Sequence, residues 1–188
     1  MFVYRLMYRE SNATLQGLEG ENDIKDEFPK FPPGYVFVRN IETENQGNFD
    51  YVILGPTGIW MVEVKSHKGN ITFNGNILLR HDKPFEKDFL KQTYRESKVL
   101  EEMIKDQLQM TIPVQSVLVF SSPQTHMKLG QRTYKGVYVI QRSLLMSLVT
   151  KGCGKYLTAE TIQKLTEFLR PFTKTLFTEP ITFSPSSK

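Results

Sequence analysis

The chain has 188 residues, of which 39% are hydrophobic and 23% charged, so one domain with a packed core is expected and global disorder is excluded. The net charge of +4 permits a polyanionic partner without requiring one. The single cysteine, Cys153, excludes an internal disulfide, and no Cys/His cluster has zinc spacing. We therefore expect a reducing, cytoplasmic compartment. We also expect no membrane association, because the sequence lacks a transmembrane-length apolar run and a convincing signal peptide.

The first predicted element is a helix over residues 12–28, which ends just before Pro29. Glu21 shares one face of this helix with Ile24 and Phe28. A carboxylate is therefore predicted to point in the same direction as core residues.

The elements that follow predict a mixed sheet flanked by helices. Strands are expected at residues 35–41, on both sides of the Gly-Pro-Thr-Gly turn in "FDYVILGPTGIWMVEVKS" (49–66), in a hairpin at 70–80 that turns at Asn74-Gly75, at 114–122 and at 136–141. Helices are expected from Lys83 to about Gln107, at 143–150 and at 159–170. This order indicates an α/β domain over residues 1–175 with a mixed central sheet, followed by a flexible tail at 176–188.

The hairpin at 49–66 contains charges inside apolar strands. If the turn spans residues 55–58, Leu54 pairs with Ile59, and counting outward places Asp50 opposite Glu63. Lys65 lies on the same face, because alternate residues of a strand share a face. Two opposed carboxylates repel each other, and a divalent cation would remove the conflict.

A simpler interpretation is a surface hairpin in which Lys65 neutralises Glu63 and solvent surrounds Asp50. Two observations favour a functional site instead. The strand "IWMVEV" is apolar on both faces, which is typical of a central strand. Glu21 and Gln92 also place polar groups on apolar helix faces, and sequences break such patterns mainly where function requires it.

These residues resemble the NERD domain (nuclease-related domain), a branch of the PD-(D/E)xK, restriction-endonuclease-like superfamily. The resemblance covers about residues 15–120. The segments that carry it are "GLEGE", which ends at Glu21, "VRNI" at 38–41, "GNFDYVILGPTGIWMVEVKSHKGNI" at 47–71, and Gln92 in the next helix. The resemblance implies a restriction-endonuclease-like αβββαβ core.

The resemblance also implies roles for individual residues. Asp50 and Glu63 look like ligands of Mg²⁺ or Mn²⁺, with the backbone carbonyl of Val64 as a third. Lys65 looks like the catalytic lysine. Glu21 is similar to the helix carboxylate that supports the metal, and Gln92 is similar to the helix glutamine on the DNA-facing side.

A substrate path is expected to be basic. Residues 64–100 contain eight Lys/Arg and four Asp/Glu, which gives 8 − 4 = +4, although including Glu63 lowers this to +3. The candidate nucleic-acid contacts are His67, Lys68, Lys87, Lys91 and Arg95. The alternative is a solvated helix stabilised by pairs such as Asp88 with Lys91.

Three functions follow in order of preference. The first is a Mg²⁺-dependent nuclease acting on DNA. The second is a non-catalytic nucleic-acid-binding module that retains the fold, and the third is a structural or protein-interaction domain. Metal dependence separates the first from the others, and salt-dependent DNA binding separates the second from the third.

Overall fold

The computed structural model describes residues 24–43, 47–130, 132–152 and 156–177. Glu21, Cys153, residues 178–188 and most of the predicted first helix lie outside these ranges. Residues 24 and 25 are helical and a 3-10 helix follows at Phe28–Lys30, so the prediction of a continuous helix to residue 28 is wrong at its end. No helix of the described residues combines the length and the hydropathy needed to cross a membrane.

The chain forms strands and helices in the order expected of a mixed α/β domain. They are β1 (Val36–Thr43), β2 (Gly47–Gly55), β3 (Gly58–Lys65), β4 (Gly69–Phe73), β5 (Leu78–Arg80), β6 (Lys83–Pro84), α1 (Phe89–Leu108), β7 (Val114–Phe120), β8 (Thr125–Met127), β9 (Thr133–Tyr134), β10 (Val137–Gln141), α2 (Leu145–Lys151), α3 (Ala159–Leu169) and β11 (Thr173–Phe177).

The main sheet has seven strands in the order β11-β1-β2-β3-β7-β10-β9. β1, β2 and β3 form an antiparallel meander, whereas β7 runs parallel to β3 and β10 runs parallel to β7. A second sheet has the order β6-β5-β4-β8 and extends from the ends of β3 and β7. The predicted mixed central sheet is therefore confirmed. Its core elements β1, β2, β3, α1 and β7 follow the βββαβ part of the predicted αβββαβ order.

Several boundaries differ from the sequence analysis. The long helix begins at Phe89 rather than Lys83, because Lys83–Pro84 forms β6 and the Asp88 side chain caps the helix by accepting a hydrogen bond from the Lys91 N–H. Residues 176 and 177, assigned to the tail, belong to β11 and pair with β1. The short strands β6, β8 and β9 were not predicted, since two or three residues carry too little periodicity.

The central strand β3 is packed on both faces. Met61 belongs to a buried cluster with Leu100 of α1 and Leu165 of α3. Trp60 belongs to the opposite cluster, with Leu145 of α2. Because alternate residues share a face, Glu63 and Lys65 lie on the α1 side of the sheet.

The turn between β2 and β3 is fixed by contacts with Tyr35. Gly55 pairs with Gly58 across a two-residue turn, and the Tyr35 ring covers Gly55 so closely that a Cβ there would lie 2.2 Å from it. The Tyr35 hydroxyl lies 3.2 Å from Thr57 Oγ1, which donates a hydrogen bond of 2.7 Å to the Val149 carbonyl. These contacts tie the hairpin to α2 and fix its register.

We expect the Gly55→Ala substitution to lower the free energy of unfolding by about 1–3 kcal/mol, because the added methyl group overlaps the Tyr35 ring. Urea unfolding followed by circular dichroism measures the change. Gly130→Ala is the control, since a Cβ at Gly130 would meet nothing within 4 Å. Equal stability of the two variants would contradict the close packing of Tyr35 on the turn.

Candidate active site

The site begins where β2 and β3 separate. The predicted pairs Leu54–Ile59 and Val52–Met61 are confirmed. The predicted pair Asp50–Glu63 lies beyond the ladder, which ends at Tyr51–Val62. Just beyond it, Asp50 Oδ2 accepts a hydrogen bond of 2.8 Å from the Val64 N–H. The Asp50 side chain therefore takes the place of a backbone partner and turns toward β3.

Glu63 is the centre of the site. It is only 4% exposed, although it carries a carboxylate. Glu63 Oε1 accepts hydrogen bonds from Lys65 Nζ and, at 3.2 Å, from Gln92 Nε2, and the Asp50 side chain is also within hydrogen-bonding reach. The structure thus brings together four of the residues that the sequence analysis selected.

Lys65 lies between the carboxylate and an aromatic ring. Its Nζ bonds to Glu63 and sits 5.0 Å from the centre of the Phe89 ring, at the start of α1. The interpretation of a solvated surface hairpin is not supported, because the ion pair is present but Glu63 is buried.

Glu96 is a further carboxylate of the site. It is 4% exposed, and its Oε1 accepts a hydrogen bond of 2.9 Å from Gln92 Nε2, the same nitrogen that contacts Glu63. The sequence analysis counted Glu96 only as one of the four acids among residues 64–100. The spacing of the apolar residues contains a signal for it, because Phe89, Leu100 and Ile104 define a buried helix face that includes position 96.

Burial dominates the electrostatics of both glutamates. Burial raises the pKa of Glu63 above its ordinary value of 4.5, Lys65 opposes this effect, and the negative charge of Glu96 adds to it. Burial also raises the pKa of Glu96. Repulsion from Asp50 raises this pKa further, whereas the hydrogen bond from Gln92 lowers it. The protein accordingly disfavours full ionisation of this cluster when no cation is present.

The donor set fits a hard divalent cation. Asp50 and Glu63 supply carboxylate oxygens, and the Val64 carbonyl lies on the same side of β3 as the N–H that contacts Asp50. Among the residues that the structure describes, no three His, Cys, Asp or Glu side chains are placed to bind one ion together. Carbonyl and water ligands would therefore complete the coordination, and the predicted support from Glu21 lies outside the described ranges.

A basic cleft adjoins the carboxylates. Its volume is about 470 Å³ and its lining is Lys87, Asp88, Lys91, Gln92 and Arg95. The three cations are exposed, follow each other at intervals of four residues and form no salt bridge within the described part of the chain. Such a row is free to bind an anion, whereas the alternative of a helix with i,i+4 ion pairs is not observed for these residues.

The other predicted contacts differ in accessibility. Lys68 is exposed. The His67 ring packs 5.1 Å from Phe85 and 5.4 Å from Phe89, and burial lowers its pKa below the ordinary 6.5. His67 therefore contributes a neutral ring to the wall of the site near pH 7. A separate apolar cavity of about 200 Å³, which Tyr138 and Leu148 help to line, shares no residue with this cleft.

A family comparison agrees with this arrangement. The model of the nuclease-related domain, NERD, matches residues 16–121, more than half of the chain. The chain belongs to the NERD family. The family lies in the restriction-endonuclease-like superfamily, and the mixed sheet of this NERD protein agrees with that fold. Comparisons with curated proteins and with solved structures found no match.

The raised pKa of Glu63 predicts how the metal-free protein responds to pH. Above pH 4.5 unfolded chains lose the Glu63 proton while folded chains retain it, so this contribution to stability is present at low pH and is lost as pH rises through the raised pKa. We expect Glu63→Gln, which cannot ionise, to weaken the fall of melting temperature with pH in EDTA. The measurement is thermal unfolding from pH 4 to 9.

Glu102→Gln is the matched control for that experiment, because Glu102 is exposed on α1. It is expected to keep the wild-type slope. The prediction fails if wild type and Glu63→Gln show the same slope, whatever their absolute melting temperatures.

Proposed function

We propose that this NERD protein is a Mg²⁺-dependent nuclease of the cytoplasm that hydrolyses phosphodiester bonds in DNA, with Mn²⁺ as an alternative cation. The observation that carries the proposal is that Asp50 and Lys65 meet the buried Glu63 at the carboxyl end of β3. Ligand sites commonly lie at this end of parallel strands, and β3 pairs in parallel with β7.

Asp50, Glu63 and the Val64 carbonyl would hold the cation. When bound, the cation would polarise a phosphoryl oxygen and make water a better nucleophile. The family resemblance supplies the choice of DNA and the supporting role of Glu21.

In this proposal the protein's own side chains orient the attacking water and stabilise negative charge. Glu63 positions the Lys65 ammonium beside the carboxylates, where it can stabilise negative charge on the phosphoryl group and orient the attacking water. Gln92 holds Glu63 in place through Nε2. The two strands and α1 exclude bulk solvent from Glu63, which strengthens each of these interactions.

The basic cleft supports a polyanionic substrate. Lys91 and Arg95 lie about 6 Å apart along α1, since each residue adds about 1.5 Å. Lys87 lines the same cleft just before the helix cap Asp88. Gln92 belongs both to this cleft and to the carboxylate network, so a strand bound along the row would reach the proposed cation.

A non-catalytic nucleic-acid-binding module is the second candidate. Two observations favour it: Glu63 already pairs with Lys65, and no three metal-binding side chains converge in the described ranges. The buried acidic centre argues against it, because carboxylates repel phosphate unless a cation intervenes.

We expect Lys65→Ala to reduce DNA cleavage by at least about 100-fold, the usual effect of removing one group that stabilises transition-state charge. Supercoiled, linear duplex and single-stranded DNA would be incubated with Mg²⁺, Mn²⁺ or EDTA and separated on gels. The control is Lys105→Ala, an exposed lysine of the same helix that carries Gln92.

Metal-dependent cleavage by wild type and Lys105→Ala, lost in a folded Lys65→Ala protein, would support the nuclease. Undiminished cleavage by Lys65→Ala would remove Lys65 from its proposed role. No cleavage by wild type with any cation, together with retained DNA binding, would favour the binding module.

We expect the triple substitution of Lys87, Lys91 and Arg95 by Ala to weaken duplex binding. It should reduce the slope of log affinity against log salt by about 2.7, since each phosphate contact contributes about 0.9. Fluorescence anisotropy in EDTA, over a range of KCl concentrations, measures this slope without cleavage. The control removes the same charge at the exposed residues Lys105, Lys164 and Arg170. Equal slopes in both triple variants would exclude the cleft as the binding track.

A further inference from the structure

One carboxylate oxygen of the site has no partner. Glu96 Oε1 accepts a hydrogen bond from Gln92, whereas Glu96 Oε2 is buried and has no hydrogen-bond partner among the described residues. The residue lies on the buried face of α1 together with Thr93 and Leu100. A buried carboxylate oxygen without a partner is costly, so its retention needs an explanation.

The charges around Glu96 do not supply that explanation. The negative charge of Asp50 raises the pKa of Glu96, and that of Glu96 raises the pKa of Glu63. The three carboxylates therefore form one cluster. The half-buried Lys65 attracts Glu96, but its ammonium is already bonded to Glu63. Arg95, on the exposed face of the helix, attracts Glu96 less strongly than Lys65 does. The cluster thus carries more negative than positive charge near Glu96.

Gln92 connects Glu96 to the proposed cation site. Its Nε2 is 3.2 Å from Glu63 Oε1 and 2.9 Å from Glu96 Oε1, so one amide nitrogen contacts both carboxylates. Within the described ranges, however, no three carboxylate, His or Cys side chains are placed to bind one ion directly. A water bound to the ion would connect Glu96 to it without direct coordination.

We propose that Glu96 is the third carboxylate of the divalent-cation site formed by Asp50 and Glu63, and that its Oε2 accepts a hydrogen bond from a water of that ion. The inference rests on the proposed function for the existence of the cation. Mg²⁺ normally keeps several of its waters in proteins. Carboxylates that act through such contacts commonly set metal affinity, because they fix and polarise the ligands they touch.

A purely structural role would make a different prediction. If Glu96 served only to hold Gln92, an amide at position 96 would still accept the Gln92 hydrogen bond through its oxygen. Glu96→Gln therefore removes the charge of the free oxygen while it preserves the size of the side chain and the contact with Gln92.

The test is calorimetric titration of the metal-free protein with MnCl₂ and with MgCl₂, without any nucleic acid. We expect Glu96→Gln to bind each ion at least about tenfold more weakly than wild type. Glu102→Gln, the same substitution at an exposed position of α1, is expected to bind as wild type does. The rise in melting temperature on adding metal provides a second readout, and should be smaller in Glu96→Gln than in either of the other proteins.

Glu96→Asp keeps the carboxylate but shortens the side chain by one methylene group. It provides a second variant should Glu96→Gln fail to fold. We expect weaker ion binding here too. Wild-type affinity in Glu96→Gln, or in Glu96→Asp if that is the variant that folds, would overturn the inference and leave the cation site intact.

Two other outcomes separate this inference from the proposed function. If wild type binds neither ion, both the cation site and the role of Glu96 are overturned. If wild type binds an ion more tightly than Glu96→Gln but cleaves no DNA, the role of Glu96 is supported and the nuclease proposal is overturned.

Discussion

The site depends on a single constraint, the burial of the Glu63 carboxylate in a strand that is packed on both faces. A central strand gives a charged group no access to bulk water, so neighbouring groups must satisfy it. Lys65, two residues further along, supplies an ammonium on the same face, and Gln92 supplies an amide from α1. The surrounding contacts of β2, β3 and α1 can be understood as consequences of this one residue.

The change from antiparallel to parallel pairing places those groups together. β3 is bordered by antiparallel β2 and by parallel β7, and the β2 ladder stops after Tyr51–Val62. The Val64 N–H would otherwise lack its sheet partner, and Asp50 satisfies it. Where the ladder ends, the Asp50 carboxylate thus lies beside β3, on the side of the strand to which the Val64 carbonyl points.

The sequence was sufficient to predict the register of the β2–β3 hairpin, but it was not sufficient to predict the start of α1. The glycines of the Gly-Pro-Thr-Gly turn specify the register of β2 and β3, and register determines which charges share a face. The start of α1 was placed six residues early because Lys83–Pro84 was included. Glu96 was missed for a different reason: it shares a helix face with Phe89, Leu100 and Ile104, but it was counted only as one acid among the charges of residues 64–100. Short edge strands such as β9 depend on tertiary pairing and left no comparable signal.

The distribution of charge favours an enzyme over a simple binding module. A nucleic-acid binder needs only cations along its contact surface, which the row of Lys87, Lys91 and Arg95 provides. Beside that row, however, the chain maintains buried carboxylates at a cost in stability and in repulsion of phosphate. The two features are compatible when a divalent cation stands between the carboxylates and the phosphate, because the ion reverses the sign of the field at that point. Attraction along α1 and cation binding at β3 would then act on the same strand of substrate, and Gln92 belongs both to the cleft and to the carboxylate network.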